Sequence, residues 1–253
     1  MNRWRWLLAV WLICAPLCQG QESVIIAFGD YAPYVSSQDG GSGAVLDIIR
    51  QAFAVQGIEV SYQFLPWNRC ERMVTEGKAF ATAPYFKTDE RLRLYDFSDP
   101  LLFSFKRFFY DTERFPGGFI WETFEDFRGY RMGGVLGYWY LPAFERAKLI
   151  VETVTSEEQN MAKLIARRID FILLDELVGM CLLQERFPDS MESIGVLKKA
   201  ESFDEMYLLI SKTYPEVEAL TKQFNAGLKR LKENGEYRKI LETHQIPKYY
   251  MVP

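Results

Sequence analysis

Strand-length apolar runs alternate with amphipathic helical segments along most of the chain, and this alternation constrains the fold more than any other feature. The apolar run Val24 to Phe28 is followed by a helical stripe within residues 44–56. A period-two strand covers residues 58–64, Pro66 ends it, and a short helix over residues 67–77 follows. Such a βαβ series predicts an α/β fold whose sheet is mainly parallel, with right-handed crossovers.

A second series of the same kind begins after the turn at residues 115–118, and no low-complexity linker separates the two. Its end is marked by an amphipathic helix over residues 215–232, with the stripe Val217, Leu220, Phe224, Leu228 and Leu231. A strand at residues 105–110 is predicted before this turn, and strands at residues 131–135, 150–154, 169–174 and 206–210 after it. The other predicted helices are 137–147, a helix that follows a capping box at residues 155–159 and ends at Arg167, and 176–185.

The first twenty residues predict a secretory signal peptide. Arg3 and Arg5 precede an apolar run from Trp6 to Cys14, and smaller residues lead to Gly20. The run is too short to span a bilayer. We therefore expect residues 1–20 to be removed, a mature chain that starts near Gln21, and a soluble periplasmic protein.

Charge and cysteine content exclude several classes of function. Without the signal peptide, 28 of the 30 basic residues stand against 34 acidic ones, a net charge of about −6, which disfavours nucleic-acid binding. Two cysteines remain, Cys70 and Cys181, which we expect to be buried free thiols, although an oxidising compartment permits a bridge. The single histidine, His244, and the lack of a CxxC pair predict no metal site, no cofactor and no histidine-based catalytic triad.

Loops at the carboxyl ends of strands are the places where α/β proteins gather ligands. The most informative is Thr88 to Pro100, because Arg91 opens a helical turn directly after the buried run Ala79 to Ala83. An arginine there offers a bidentate fork to an anion. The alternative interpretation is a solvated charge on a helix face. Aromatic residues in the other strand-end loops also have an alternative role in core packing.

The sequence Thr88-Asp89-Glu90-Arg91, followed by Asp96-Phe97-Ser98-Asp99-Pro100, resembles the signature of the family 3 periplasmic solute-binding proteins, receptors that feed amino acids and related solutes to ABC importers. The resemblance implies a two-lobed fold with a two-segment hinge. One lobe would comprise residues 21–105 and 206–253, and the other residues 106–205. The ligand would be held between the closing lobes.

The resemblance also implies roles for individual residues. Arg91 would clamp a ligand carboxylate, Tyr31 would cover the ligand and Trp67 would stack on its other side. The run Arg168-Ile169-Asp170 ahead of Asp175 is similar to a family pattern whose downstream carboxylate receives the ligand's amino group. The remaining candidates from these loops are Tyr138 and Trp139, with Tyr34, Arg69, Tyr85 and Phe86 as further ligand-binding candidates.

The chain departs from amino-acid binders of this family where they carry hydroxyl or glycine residues. It has Ala83, Pro84 and Phe86 at these positions, and Gly137-Tyr138 in place of a Gly-Thr or Gly-Ser step. Fewer hydroxyls and more rings favour a flat or apolar solute over a glutamine-like or lysine-like one.

Two classes of function stay open. The first is a monomeric, non-catalytic receptor that binds a small molecule and serves the permease of an ABC transporter. The second is a periplasmic sensor or an enzyme built on the same fold, since fold alone does not fix function. The absence of a nucleophile paired with histidine argues against catalysis.

Overall fold

The computed structural model describes residues 23–138 and 140–253, so the predicted signal peptide and Trp139 lie outside the described residues. The strands are β1 (Val24–Phe28), β2 (Val60–Phe64), β3 (Ala81–Tyr85), β4 (Asp96–Phe97), β5 (Leu102–Asp111), β6 (Arg131–Val135), β7 (Ile150–Val154), β8 (Phe171–Asp175), β9 (Ile194–Val196) and β10 (Ser202–Ile210). The α-helices are α1 (Ala44–Ala54), α2 (Trp67–Thr75), α3 (Asp89–Leu94), α4 (Leu141–Arg146), α5 (Glu157–Ile165), α6 (Glu176–Arg186), α7 (Val217–Asn234) and α8 (Glu236–Thr243).

The sheet consists of two mainly parallel halves joined by two long antiparallel strands. In the first half β1 lies between β2 and β3, parallel to both, and in the second β6 lies between β7 and β8, also parallel to both. Strand β10 crosses from one half to the other, because its residues 207–210 pair with β3 and its residues 202–206 pair with β5. This is the α/β fold that the sequence pattern predicted, with the two lobes and the two-segment connection that the family resemblance implied.

The hydrophobic clusters follow the same division. The largest one is built from β1, β3, α1, α7, α8 and the C-terminal segment, and Val178 at the start of α6 also reaches it. Two further clusters draw only on residues between 108 and 197. The predicted stripe of α7 is confirmed, since Leu220, Phe224, Leu228 and Leu231 are buried and α7 packs on α1. The lobe boundaries at 105/106 and 205/206 stay a prediction that this division supports.

Strand β3 differs from its prediction in a way that matters for the site. The sequence placed a loop at Pro84 and Tyr85, but both belong to the strand and are buried. Proline has no backbone N–H to donate to a neighbouring strand. The pairing register with β10 shifts between Tyr207 and Leu209, opposite this stretch, and so accommodates the missing donor. The ligand loop therefore begins at Phe86.

The two cysteines are free, as expected, but only one is buried. The thiol of Cys70 donates to the carbonyl of Leu65 (3.4 Å) inside the first half, and burial raises its pKa. The expectation that Cys181 is buried is wrong, because it lies on the partly exposed side of α6 beside Glu185. Within the described residues, no helix has the length and apolarity needed to cross a membrane.

Candidate ligand-binding cleft

A cleft lies between the two halves and has two compartments. The compartment that reaches Tyr31 and Trp67, named the inner one, has a volume of about 370 Å³, and the compartment that reaches Lys106 and Asp204, named the outer one, has a volume of about 780 Å³. Four residues line both of them: Glu71, Phe86, Arg91 and Tyr138. Volumes of this size are typical of small-molecule sites. Because Tyr138 belongs to the second half and the other three to the first, both halves contribute to the surface that a ligand would contact.

Aromatic residues make up half of the lining of the inner compartment. The Trp67 indole, at the first residue of α2, stands edge-on to the rings of Tyr31 and Tyr85, with centroid distances of 6.4 and 5.5 Å. Phe86 and Tyr138 complete the ring-lined surface. Gly29 allows Trp67 to sit here, since a Cβ at residue 29 would lie 2.3 Å from the indole. A ligand that covers these rings would displace water from them, and the lower local dielectric would strengthen a charge interaction beside it.

Arg91 lies on α3, where its guanidinium faces the cleft. The Thr88 hydroxyl caps α3 by accepting from the Arg91 backbone N–H (3.2 Å). The guanidinium stacks 4.7 Å above the Tyr85 ring and donates from Nη1 to the Phe86 carbonyl (3.1 Å). Its Nη2 lies 3.7 Å from the Glu71 carboxylate, which is beyond hydrogen-bonding distance. The fork is therefore oriented by the protein and still able to donate to an anion.

Three carboxylates line the inner compartment alongside this one guanidinium: Asp30, Glu71 and Glu157. Glu157 is the first residue of α5, directly beyond β7, and its Oε1 accepts from the Tyr138 hydroxyl (2.6 Å). Burial raises the pKa of Glu157, and the Tyr138 hydrogen bond opposes that shift. An inner wall with more acidic than basic groups suits a ligand that carries a positive charge as well as a carboxylate.

Asp175 lies behind the cleft rather than on its surface. It is only 4% exposed and is not among the residues that line either compartment. Its Oδ1 accepts from the backbone N–H groups of Leu177 (3.0 Å) and Val178 (3.1 Å), so it caps α6. The hydroxyls of Tyr34 (3.0 Å to each oxygen) and Ser104 (2.5 Å to Oδ2) also donate to it. The predicted ligand carboxylate thus has its hydrogen-bonding capacity filled from within the protein.

A buried lysine extends this network along the connecting strands. The Lys106 ammonium donates to the Ser104 hydroxyl (2.9 Å) and to Asp204 on β10 (3.1 Å), and it lies 3.9 Å from the centre of the Phe86 ring. Burial lowers the pKa of Lys106, while Asp204 and the nearby Asp175 favour its charged form. Lys106 and Asp204 both line the outer compartment. The cleft floor is therefore made by the strands that join the two halves.

The structure brings together most of the predicted site residues, but not all. Tyr31, Trp67, Tyr85, Phe86, Arg91 and Tyr138 line the cleft. Tyr34 is fully buried against Asp175, and Arg69 is exposed and lines neither compartment. Trp139 lies outside the described residues.

Sequence reasoning missed Glu71, Glu157 and Lys106. The signal for Glu157 was present, since it follows the carboxyl end of a predicted strand, but its stretch was interpreted only as a capping box. No comparable signal marked the other two. The side-chain direction of Glu71 on α2 and of Lys106 on β5 depends on how those elements pack. Among the residues that the structure describes, no cluster of histidine, cysteine and carboxylate side chains has the arrangement of a metal site.

Comparison with known proteins identifies the class of protein that this fold and cleft define. The model of the bacterial extracellular solute-binding proteins, family 3, matches residues 24–246. The chain belongs to this family. A search of curated proteins finds no match to this chain.

Solved structures of low sequence identity share the fold. A protein from Bacillus subtilis is 20% identical, with a TM-score of 0.73, over 90% of this chain and 92% of that one. The second substrate-binding domain of a putative amino acid ABC transporter from Streptococcus pneumoniae is 22% identical, with a TM-score of 0.68, over 88% and 99% of the two chains. A histidine kinase sensor domain with similarity to periplasmic binding proteins is 17% identical, with a TM-score of 0.73, over 92% and 99%.

Proposed function

We propose that this protein is a monomeric periplasmic receptor that captures an amino acid or a related carboxylate between its two lobes and delivers it to the permease of an ABC importer. The observation that carries the proposal is the Arg91 guanidinium, held over Tyr85 and by the Phe86 carbonyl at the junction of both compartments. A planar fork oriented in this way recognises a carboxylate. Membership of a solute-binding family and the substrate-binding domain of an amino acid transporter among similar structures support it.

The aromatic rings that line the inner compartment indicate the chemical character of the solute beyond its carboxylate. Tyr31, Trp67 and Tyr138 offer flat apolar surface, while Pro84 and Phe86 provide no side-chain hydroxyl. A polar side chain that loses its water there without a new partner costs about 1–3 kcal/mol, whereas a well-placed ring pair contributes about 0.5–1.5 kcal/mol. The preferred solute is therefore an amino acid or carboxylate with an aromatic or apolar body, bound as the lobes close around it.

A screen of the purified protein tests the proposal. We expect phenylalanine, tyrosine, tryptophan, leucine or their deaminated acids to raise the melting temperature more than arginine, glutamine or glutamate do. Arg91→Ala should weaken the binding of the best solute by about 30-fold or more, because removing one partner of a buried charged pair costs about 2–5 kcal/mol. The control is Arg93→Ala, an exposed arginine two residues further along α3. Near-normal affinity in Arg91→Ala, measured by calorimetry, contradicts the assignment.

Delivery needs a separate measurement in cells. Deleting the gene should lower uptake of the radiolabelled solute, and the wild-type protein but not Arg91→Ala should restore it. The second candidate function is solute sensing, which the likeness to a histidine kinase sensor domain favours. Unchanged uptake together with a lost transcriptional response to the solute would support sensing and contradict delivery.

A further inference from the structure

We propose that Glu157 is the group that receives the amino group of the solute in this protein, and that Asp175 has a structural role instead. The inference rests on the proposed function, since it concerns the same cleft. It changes the expectation drawn from the family resemblance, which gave this task to Asp175. It also narrows the solute to one that carries an amine together with its carboxylate.

The first argument is the position of the two carboxylates. Glu157 lines the inner compartment, on the side that the second half contributes, and Arg91 lines the same compartment from the first half. Asp175 lines neither compartment. A zwitterion that places its carboxylate on Arg91 therefore meets Glu157, and not Asp175, on the facing surface.

The second argument is the hydrogen-bonding capacity of each group. Asp175 already accepts from two backbone N–H groups and from the hydroxyls of Tyr34 and Ser104. Turning it toward a ligand would uncap α6 and leave those buried hydroxyls without an acceptor. For Glu157, the contact found is one side-chain donor, the Tyr138 hydroxyl on Oε1. Its second oxygen remains able to accept from a ligand.

The third argument is electrostatic. The charged and titratable groups around Glu157 include Tyr138, Tyr31, Asp175, Asp30, Glu71 and Arg91. Most of them are acidic or neutral, and the one guanidinium among them, that of Arg91, is assigned to the carboxylate of the solute. Burial raises the pKa of Glu157, as expected for a carboxylate removed from water beside other carboxylates. A ligand ammonium would supply the missing positive charge.

Matched variants and matched probes test the inference. Each amino acid is paired with its deaminated acid: phenylalanine with 3-phenylpropanoate, tyrosine with 3-(4-hydroxyphenyl)propanoate, and leucine with 4-methylpentanoate. We expect the wild type to bind the amino acid of the best pair at least ten-fold more tightly. Glu157→Gln should reduce this preference below three-fold and leave the affinity for the deaminated acid nearly unchanged. Glu158→Gln, the exposed neighbour on the same helix turn, should behave as the wild type.

Asp175→Asn distinguishes the two carboxylates. We expect this variant to keep the preference for the amino acid. Its melting temperature without ligand should fall, because an amide nitrogen in place of Oδ2 cannot accept the hydrogen bond from the Ser104 hydroxyl. Loss of the preference in Asp175→Asn and its retention in Glu157→Gln overturn the inference. Equal losses for both members of a pair in Glu157→Gln also overturn it, because they indicate a structural effect.

These experiments distinguish a failure of the Glu157 assignment from a failure of the proposed function. If no probe stabilises the wild-type protein, both are overturned. If probes bind in an Arg91-dependent manner but Glu157→Gln keeps the ten-fold preference, the proposed function stands and only the role of Glu157 is rejected.

Discussion

Asp175→Ala is expected to destabilise the protein far more than the loss of an ordinary helix cap. Removing the carboxylate uncaps α6, which costs about 0.5–2 kcal/mol. It also leaves the buried hydroxyls of Tyr34 and Ser104 without their acceptor, at about 1–3 kcal/mol for each. The total is about 2.5–8 kcal/mol, a large part of the roughly 5–15 kcal/mol by which most proteins are stable.

Urea denaturation measures this loss, with the slope of the transition as a check that unfolding stays comparable. Ser156→Ala is the matched control, because Ser156 caps α5 through one exposed hydrogen bond to the Gln159 N–H (3.2 Å). That variant should lose about 1 kcal/mol. Adding Tyr34→Phe to Asp175→Ala should cost little, since it removes an already unpaired hydroxyl. The reasoning is refuted if Asp175→Ala loses no more than about 1 kcal/mol beyond Ser156→Ala.

Two further predictions concern the cleft itself. Glu157→Gln should stabilise the unliganded protein at neutral pH. The pKa of Glu157 is raised in the folded state, so the folded protein binds this proton more tightly than the unfolded chain does. The stability of the wild type therefore falls as the pH rises from the unfolded pKa through the raised folded pKa. In melting curves taken below that pH window, the stability gained by Glu157→Gln should vanish. Gly29→Ala should displace the Trp67 indole, because the new Cβ would lie 2.3 Å from the ring. Calorimetry should then show weaker solute binding. An unchanged affinity would show that the position of Trp67 does not matter for binding.

The amino-acid sequence alone determined the class of fold and many of the residues that the first half contributes to the cleft. Strand and helix periods, the helical turn at Arg91 and the amphipathic stripe of α7 are local patterns, and each depends on residues within a few positions of one another. Several element bounds agree closely with the prediction, such as Arg131–Val135 and Ile150–Val154. The short strands β4 and β9 and the helix α8 were not predicted, the strands because two or three residues carry too little periodicity.

Only the tertiary structure decided which of the two carboxylates lines the cleft. The partners of Asp175 that turn it inward, Tyr34 and Ser104, are 141 and 71 residues away in the chain. Lys106 and Asp204, which form the cleft floor, are 98 residues apart. A residue at a strand end can be assigned to the site from sequence, but the direction of its side chain depends on distant groups that compete for its oxygens. For this reason the sequence located both Asp175 and the strand end before Glu157, yet could not tell which of the two lines the cleft.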